Sequence, residues 1–325
     1  MGEFELLARL RERLPPPGPR VLLGSGDDAA VSVPGGATAT SIDALVEGVH
    51  FRRETATPTQ IGRKALATAL SDLAAMGAEA GEAYVAVGVP PDLDEDACLE
   101  LFDGIAALAT ATGTTLAGGD VTRAPILTLA VTVVGHAAGP AQLVTRGGAR
   151  PGDQLVLTGE IGGAAAGLLL LERPELAVAV PEPTAARLRA RQLDPTPRLA
   201  AGWALAAAGA RAMIDLSDGL GGDAVHLAAA GGVGIRIEAE LLPLAPGANE
   251  IATAAGRDPL EIATAGGEDY ELLAALPPDR LAEAVGEIGA ETTLTRIGEI
   301  YAGAGVEIRL PGGGTAVPAG FDQLG

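Results

Sequence analysis

The chain is expected to fold as two α/β domains, and three features of the sequence predict it. Its 325 residues exceed what one ordinary core organises, and domains of roughly 100 to 200 residues make two the natural division. Short strand-like runs alternate with longer segments of helical apolar spacing along the whole length. Near the middle a Gly-, Arg- and Pro-rich stretch, Gly147 to Gly152, interrupts that alternation as an exposed hinge would.

In order, Phe4 to Leu14 carries apolar residues at helical spacing and runs into Pro15, Pro16 and Pro17, which end it. Val21 to Leu23 and Thr38 to Val46 read as strands around the polar turn GSGDDAA at 24–30. Gln60 to Met76 predicts a helix with Leu66, Leu70 and Leu73 on one stripe and Gly77 as its stop. A strand at Ala83 to Val89, a helix at Glu95 to Ala111 and an apolar strand at Ile126 to His136 complete a first domain, 1–146. In the second, 147–325, QLVLTG at 154–159 reads as a strand entering a Gly- and Ala-rich helix. There Ala212 to Leu216 reads as a strand meeting a helix at Gly219 to Ala229, and Tyr270 to Leu276 as a strand before a helix at Asp279 to Ile288.

Hydrophobic residues make up 48% of the chain but aromatics only 2%, so the core must be built from Leu, Val, Ile and Ala. Acidic residues outnumber Lys plus Arg by 42 to 22, and the resulting charge of −20 repels nucleic acid and anionic membrane surfaces. An anionic substrate would need cations beside it. The single cysteine, Cys98, excludes an intramolecular disulfide and a Cys-based zinc cluster, and reads as a small hydrophobe in a helix. The first residues lack the apolar core of a secretory signal and no run of about 18 apolar residues occurs, so a cytoplasmic protein without a membrane span is expected.

Six short segments set acidic residues at strand ends or helix starts among glycines or apolar neighbours. They are Gly26-Asp27-Asp28, Ser41-Ile42-Asp43, Ser71-Asp72-Leu73, Gly118-Gly119-Asp120, Asp215-Leu216-Ser217-Asp218 and Gly267-Glu268-Asp269. Any one alone suits a helix cap or a turn, and Ser217-Asp218-Gly219 reads equally as a plain helix start. Their number changes the reading. Two carboxylates about 4 Å apart repel by roughly 1 kcal/mol in water and about 4 at an effective dielectric of 20, so several share a site only around metal ions. Oxygen-only ligands favour Mg²⁺ or Ca²⁺, and Mg²⁺ works with a few carboxylates plus substrate phosphates.

A Walker-type phosphate loop is excluded, because no G-x-x-x-x-G-K-[ST] occurs and Lys64 is the only lysine. Gly24 to Ala29 satisfies the dinucleotide pattern G-x-G-x-x-A, yet Asp27 and Asp28 would stand where a pyrophosphate approaches. His50, His136 and His226 are too scattered to suggest a triad, and no covalent nucleophile is indicated.

Read together, GDDAA at 26–30, SIDALVEGVHF at 41–51, GRKALATALSDLAAMGA at 62–78, GGDVTR at 118–123, LVTRGGARPGD at 143–153, IDLSDGL at 214–220 and GGEDYEL at 266–272 resemble the signature series of the thiamine-monophosphate kinase family. That family belongs to the aminoimidazole ribonucleotide synthetase-like superfamily. The resemblance implies an N-terminal ATP- and Mg²⁺-binding α/β domain whose sheet joins that of a second subunit in a homodimer, and a C-terminal α/β domain completing the active-site cleft. It implies direct transfer of the ATP γ-phosphoryl group to thiamine monophosphate with several Mg²⁺ ions and no general base.

Carried onto this sequence, the resemblance makes Asp27, Asp28, Ser41, Asp43, Asp72, Asp120, Asp215 and Asp218 metal ligands. Gly119, Asp120, Arg146 and Ser217 would touch the nucleotide, and His50, Glu268 and Phe321 the thiamine monophosphate. Bland rivals stand beside three of these: His50 as a strand-end cap, Phe321 as a tail anchor, Arg146 as a surface charge. Ile42 departs from the family pattern, since many relatives have Thr or Ser there. Two alternatives stay open at this point: another ATP-using superfamily member such as aminoimidazole ribonucleotide synthetase, and a non-catalytic nucleotide or Mg²⁺ sensor.

Overall fold

The computed structural model describes residues 6, 9–10, 12–24, 29–288 and 292–321. The chain divides into two units, one of Met1–Leu73 with Ala78–Pro140 and one of Ala74–Gly77 with Ala141–Gly325. The division after Pro140 falls a few residues ahead of the expected 146/147 boundary, and the second unit also takes the short piece Ala74–Gly77.

In the first unit a ribbon of β1 (Val21–Leu23) and β2 (Val31–Ser32) accompanies a four-stranded sheet. That sheet has the order β3-β6-β4-β5, from β3 (Ala37–Val46), β4 (Glu79–Val89), β5 (Thr115–Arg123) and β6 (Thr128–Ala137). β6 pairs antiparallel with β3 and β4, and β5 runs parallel to β4. Strand periodicity is visible in β3, where Thr38, Thr40, Ile42 and Ala44 are exposed while Leu45 is buried and Ser41 and Asp43 are partly so. α1 (Pro58–Ala75) buries the stripe Leu66, Leu70 and Leu73 completely, and Gly77 ends it with φ 64°. Asp94 caps α2 (Glu95–Thr112) by accepting from the Ala97 N–H, and Cys98 is buried beside Leu6 and Leu10 as a helix hydrophobe.

The two helices cross on glycines. A Cβ on Gly104 would stand 2.0 Å from the Thr59 carbonyl oxygen, and one on Gly62 would stand 1.9 Å from that of Leu101. Gly104→Ala is therefore expected to push α1 and α2 apart at a cost of about 1–3 kcal/mol, read as a lowered Tm; an unchanged Tm would show that the crossing relaxes freely.

The second unit is built on a seven-stranded sheet of order β13-β12-β9-β11-β7-β10-β8. Its strands are β7 (Gln154–Thr158), β8 (Ala212–Asp215), β9 (Gly234–Glu238), β10 (Leu272–Leu276), β11 (Leu294–Tyr301), β12 (Gly305–Leu310) and β13 (Gly314–Ala316). β12 and β9 pair in parallel and the other pairs are antiparallel. The central strands are apolar on both faces, and alternate residues feed two cores. Leu157, Ile214 and Leu273 pack with Leu220, Ala224 and Leu227 of α6 (Leu220–Gly231). Val156, Met213, Leu272 and Ala274 pack with Ala201 and Leu205 of α5 (Leu199–Ala207). A third cluster joins α3 (Gly163–Glu172), α4 (Glu182–Leu193) and α7 (Ala248–Ala254) through Leu170, Leu188 and Ile251. The helix expected from Asp279 begins as a 3₁₀ turn, Pro278–Arg280, before α9 (Leu281–Ile288); α8 is Pro259–Ala265.

Candidate active site

In the first unit the Ser41-Ile42-Asp43 segment lies on β3, and Asp72 on the last part of α1. The Ser41 hydroxyl donates to Asp72 Oδ2. Burial, and then the neighbouring Asp72 charge, push the Asp43 carboxyl up to about 6. Two carboxyl groups and a hydroxyl thus share one place. His50 follows at the turn after β3, where its Nδ1 accepts from the Val46 N–H (3.1 Å), so the neutral ring carries its proton on Nε2. Lys64 Nζ donates to the His50 carbonyl oxygen (3.2 Å). The strand-end capping role of His50 is real, and it fixes which edge of the ring a ligand could meet.

Asp120 stands elsewhere. Register sets Asp43 in a row with Val131, Val85 and Gly119, and sets Ala44 in a row with Ala130, Ala86 and Asp120. Adjacent rows point to opposite faces, and β3 and β5 are the two edges of the sheet, roughly 14 Å apart. Asp43 and Asp120 of one chain therefore do not share a metal ion. Asp27 and Asp28 lie outside the described residues.

The second unit brings more of the expected residues together. Asp215 closes β8, and Ser217, Asp218 and Gly219 turn the chain into α6, Gly219 at φ 107°. The GGEDYEL segment runs alongside, with Leu216 N–H donating to Glu271 O (2.8 Å), Tyr270 N–H to Leu216 O (2.9 Å) and Glu268 N–H to Ser217 O (2.9 Å). Phe321, 58% exposed, donates its N–H to the Asp218 carbonyl (2.8 Å). Asp215, Ser217, Asp218, Glu268 and Phe321 are thus tied into one locality. Arg146 opens a short 3₁₀ turn that packs against β8 and α6: the Thr145 carbonyl before it accepts from the Met213 N–H (3.2 Å), two residues ahead of Asp215, and Gly147 after it lies against the Ala230 carbonyl near the C-terminal end of α6.

Glu268 and Tyr270 adopt left-handed backbone at φ 66° and 50°, a conformation that non-glycine residues hold only where the surroundings impose it. Hydrogen bonds to three side chains, those of Glu268, Asp269 and Glu271, surround it here. Asp269 accepts from the Gly162 (2.6 Å) and Ala164 (3.0 Å) amides, capping α3 in the manner any single aspartate suits. Burial pushes its carboxyl up to about 6, against the pull of Arg191 and those two amides. Glu271, fully buried, takes Arg198 on both oxygens (2.7 and 2.6 Å), Arg191 at 3.1 Å and the Thr158 hydroxyl at 2.8 Å. Gln192 Nε2 donates to Glu268 Oε2.

Asp223, on the first turns of α6, is a further buried carboxyl. Its Oδ2 accepts from the Asp218 and Gly219 amides, both at 3.1 Å. Burial, then Asp215, then Asp218 push it up to about 8. A carboxyl raised in the folded state holds a proton that the unfolded chain has released. The stability this lends is complete below the ordinary value near 4 and is lost as pH rises, through about 6 for Asp43 and about 8 for Asp223. In EDTA, Asp223→Asn is expected to have a higher Tm than the parent, by a margin that widens from about pH 5 to about pH 8; a margin independent of pH would contradict this.

The donor set is all oxygen, which suits a hard divalent cation. Among the described residues no group of three or more His, Cys, Asp or Glu side chains comes together tightly enough to hold a metal by itself.

Comparison with known proteins places the chain. Residues 26–137 match the N-terminal domain of AIR synthase related protein, and residues 150–311 its C-terminal domain. Thiamine-monophosphate kinase of Mycobacterium tuberculosis H37Rv is 41% identical over 281 residues, covering 84% of this chain and 80% of that protein. The Escherichia coli K12 enzyme of the same name is 40% identical over 299 residues, covering 90% and 89%. The chain belongs to the thiamine-monophosphate kinase family. Among solved structures, thiamine-monophosphate kinase from Stenotrophomonas maltophilia K279a superposes with TM-score 0.83 at 38% identity, over 97% of this chain and 98% of that one. AaThiL complexed with AMPPCP and TMP gives 0.77 at 31% identity, over 98% and 94%. Hydrogenase maturation protein HypE in complex with ATP, at 19% identity and TM-score 0.79, shares the fold alone. The expected two-domain AIR synthase-like fold is therefore the fold of this family member.

Reading this member of the thiamine-monophosphate kinase family from sequence did not single out Asp223, Gln192, Glu271, Arg191 or Arg198. Asp223 had one usable signal, since four residues after Gly219 is one helical turn into the helix that Gly219 starts. The side-chain partners of Glu268 and Glu271 come from β7, α4 and the loop after it, more than 70 residues away, and no local pattern announces them.

Proposed function

We propose that this chain transfers the γ-phosphoryl group of ATP directly to the phosphate of thiamine monophosphate, forming thiamine diphosphate and ADP in an Mg²⁺-dependent reaction. One observation carries the reading: IDLSDGL and GGEDYEL are joined by three main-chain hydrogen bonds, holding Asp215, Ser217 and Asp218 beside Glu268. The family membership and the AMPPCP and TMP of the AaThiL complex supply the substrates.

Both reactants are polyanions, so the task is positioning and charge neutralisation more than proton removal. In the first unit Asp43, Asp72 and Ser41 would hold Mg²⁺, and in the second Asp215 and Asp218 would do so. Mg²⁺ would offset repulsion between the phosphates and stabilise charge in the in-line transition state. Ser217 contacts the nucleotide, with Gly119, Asp120 and Arg146 assigned to it by family resemblance alone. His50, Glu268 and Phe321 receive the thiamine moiety. The accepting phosphate oxygen is already ionised near neutral pH, so no general base is required. Glu268→Gln is expected to raise KM for thiamine monophosphate about tenfold or more while KM for ATP stays within about twofold; a selective loss of ATP affinity would contradict the assignment.

We also propose a homodimer formed through the face of the first unit's sheet that carries Ile42, 68% exposed, with Ala44 and Ala86. In such a dimer Asp120 would serve a site on the second copy, which its place at the far edge of its own sheet favours. Ile42→Asp is expected to halve the mass measured by light scattering, and an unchanged dimer would place the interface elsewhere. No described helix is long and apolar enough to cross a membrane, and a cytoplasmic location is part of the proposal. The reading as a whole is tested by incubation with MgATP and thiamine monophosphate, thiamine or formylglycinamidine ribonucleotide in parallel. Thiamine diphosphate and ADP in equal amounts are expected from the first alone. ADP without thiamine diphosphate would overturn it.

A further inference from the structure

We infer that Asp223 is a positioning residue for phosphoryl transfer, fixing with one carboxyl oxygen the main chain that aims Asp218 and Ser217. The inference rests on the reading that the 214–220 segment serves the reacting phosphates. Asp223 is 2% exposed and lies one turn into α6, so it meets substrate only through the loop it holds. Its Oδ2 takes the N–H groups of both Asp218 and Gly219, and its own N–H returns to the Gly219 carbonyl (3.0 Å).

These contacts add to others that hold the same loop. The Asp218 carbonyl is already held by Phe321 N–H and the Ser217 carbonyl by Glu268 N–H, so with Asp223 in place Asp218 is gripped at both its amide and its carbonyl. Gly219 has φ 107° and ψ 151°, a region that essentially only glycine enters, and a Cβ there would stand 3.0 Å from the Ala265 carbonyl carbon and the Gly266 oxygen. Such a backbone has no preference of its own for holding the two amides parallel. A desolvated carboxyl next to Asp215 and Asp218 is costly to keep. What an apolar residue cannot supply is the oxygen that receives two N–H groups.

The test compares Asp223→Asn with Asp223→Ala under saturating Mg²⁺, ATP and thiamine monophosphate. Asparagine keeps an oxygen where Oδ2 lies and drops the charge, while alanine removes both. A positioning role predicts that the alanine variant loses about 30-fold to 100-fold in kcat with either KM changed less than about threefold, and that asparagine restores most of the loss. Should the alanine variant not fold, Asp223→Ser, whose hydroxyl is too short to receive both amides, replaces it with the same expectation. Parent-like kcat in the alanine or serine variant would overturn the inference, as would an asparagine variant as slow as alanine, which would make the charge itself the requirement. Absence of thiamine diphosphate formation by the parent would instead overturn the underlying functional reading.

Discussion

Asp43→Asn is expected to lower kcat by about 10²-fold to 10³-fold, the loss that follows removal of one group aimed at transition-state charge. The side chain stands on β3 with its carboxyl pushed up to about 6 by burial and by Asp72, whose own Oδ2 receives the Ser41 hydroxyl. A carboxyl kept in such surroundings costs stability at neutral pH, so its presence needs a compensating role. Asparagine has the same shape and lacks the charge. In EDTA near pH 8 the variant should therefore melt at or above the parent temperature, since the cost of burying the charge and the repulsion from Asp72 are both gone. Loss of turnover combined with a retained or raised Tm separates a chemical role from a structural one. Equal kcat in variant and parent would remove Asp43 from the site.

The largest effect on folding is expected from Glu271→Gln, which should lower the free energy of unfolding by about 3–5 kcal/mol. Glu271 has no exposed surface and is the partner of Arg198 on both oxygens, of Arg191, and of Thr158. Neutralising it leaves two guanidinium groups facing an uncharged amide in a poorly solvated place. The space cannot be rearranged cheaply, because Gly159 has φ 58° and a Cβ on it would stand 2.2 Å from Glu271 Oε1. The strand β10 begins at the next residue, so the disturbance reaches the sheet and the left-handed stretch that holds Glu268. Denaturant titration reads this as a lowered midpoint at constant slope. A loss below about 1 kcal/mol would show that the arginines find other partners.

Most elements were legible in the sequence because their periodicity is strong. The Leu66, Leu70 and Leu73 stripe, the apolar runs of β6, β7 and β10, and the stop at Gly77 all stand where spacing puts them. β5 escaped because Gly118, Gly119 and Asp120 are poor strand formers that pairing with β4 overrides. β2, β9, β11, β12 and β13 were not anticipated either, nor were α4, α5, α7 and α8; β11, β12 and β13 have short mixed sequences that become strands by pairing with β9, β7 and one another.

The acidic segments were legible as a set, but the use of each depends on contacts far away in sequence. Asp269 turns out to cap α3 across more than 100 residues, while Ser217 meets Glu268 because β8 and β10 are neighbours. Asp120 shows the opposite case. Its motif is as clear as the others, yet sheet order and register put it on the other face and the other edge from Asp43.

Direct transfer between two phosphates, with no phosphorylated protein group between them, is tested most plainly by the stereochemical course of the reaction. ATP made chiral at its γ-thiophosphate is turned over with thiamine monophosphate, and the configuration at phosphorus in the product is determined. A single in-line displacement predicts inversion. Retention, the mark of two successive displacements through a protein nucleophile, would contradict it.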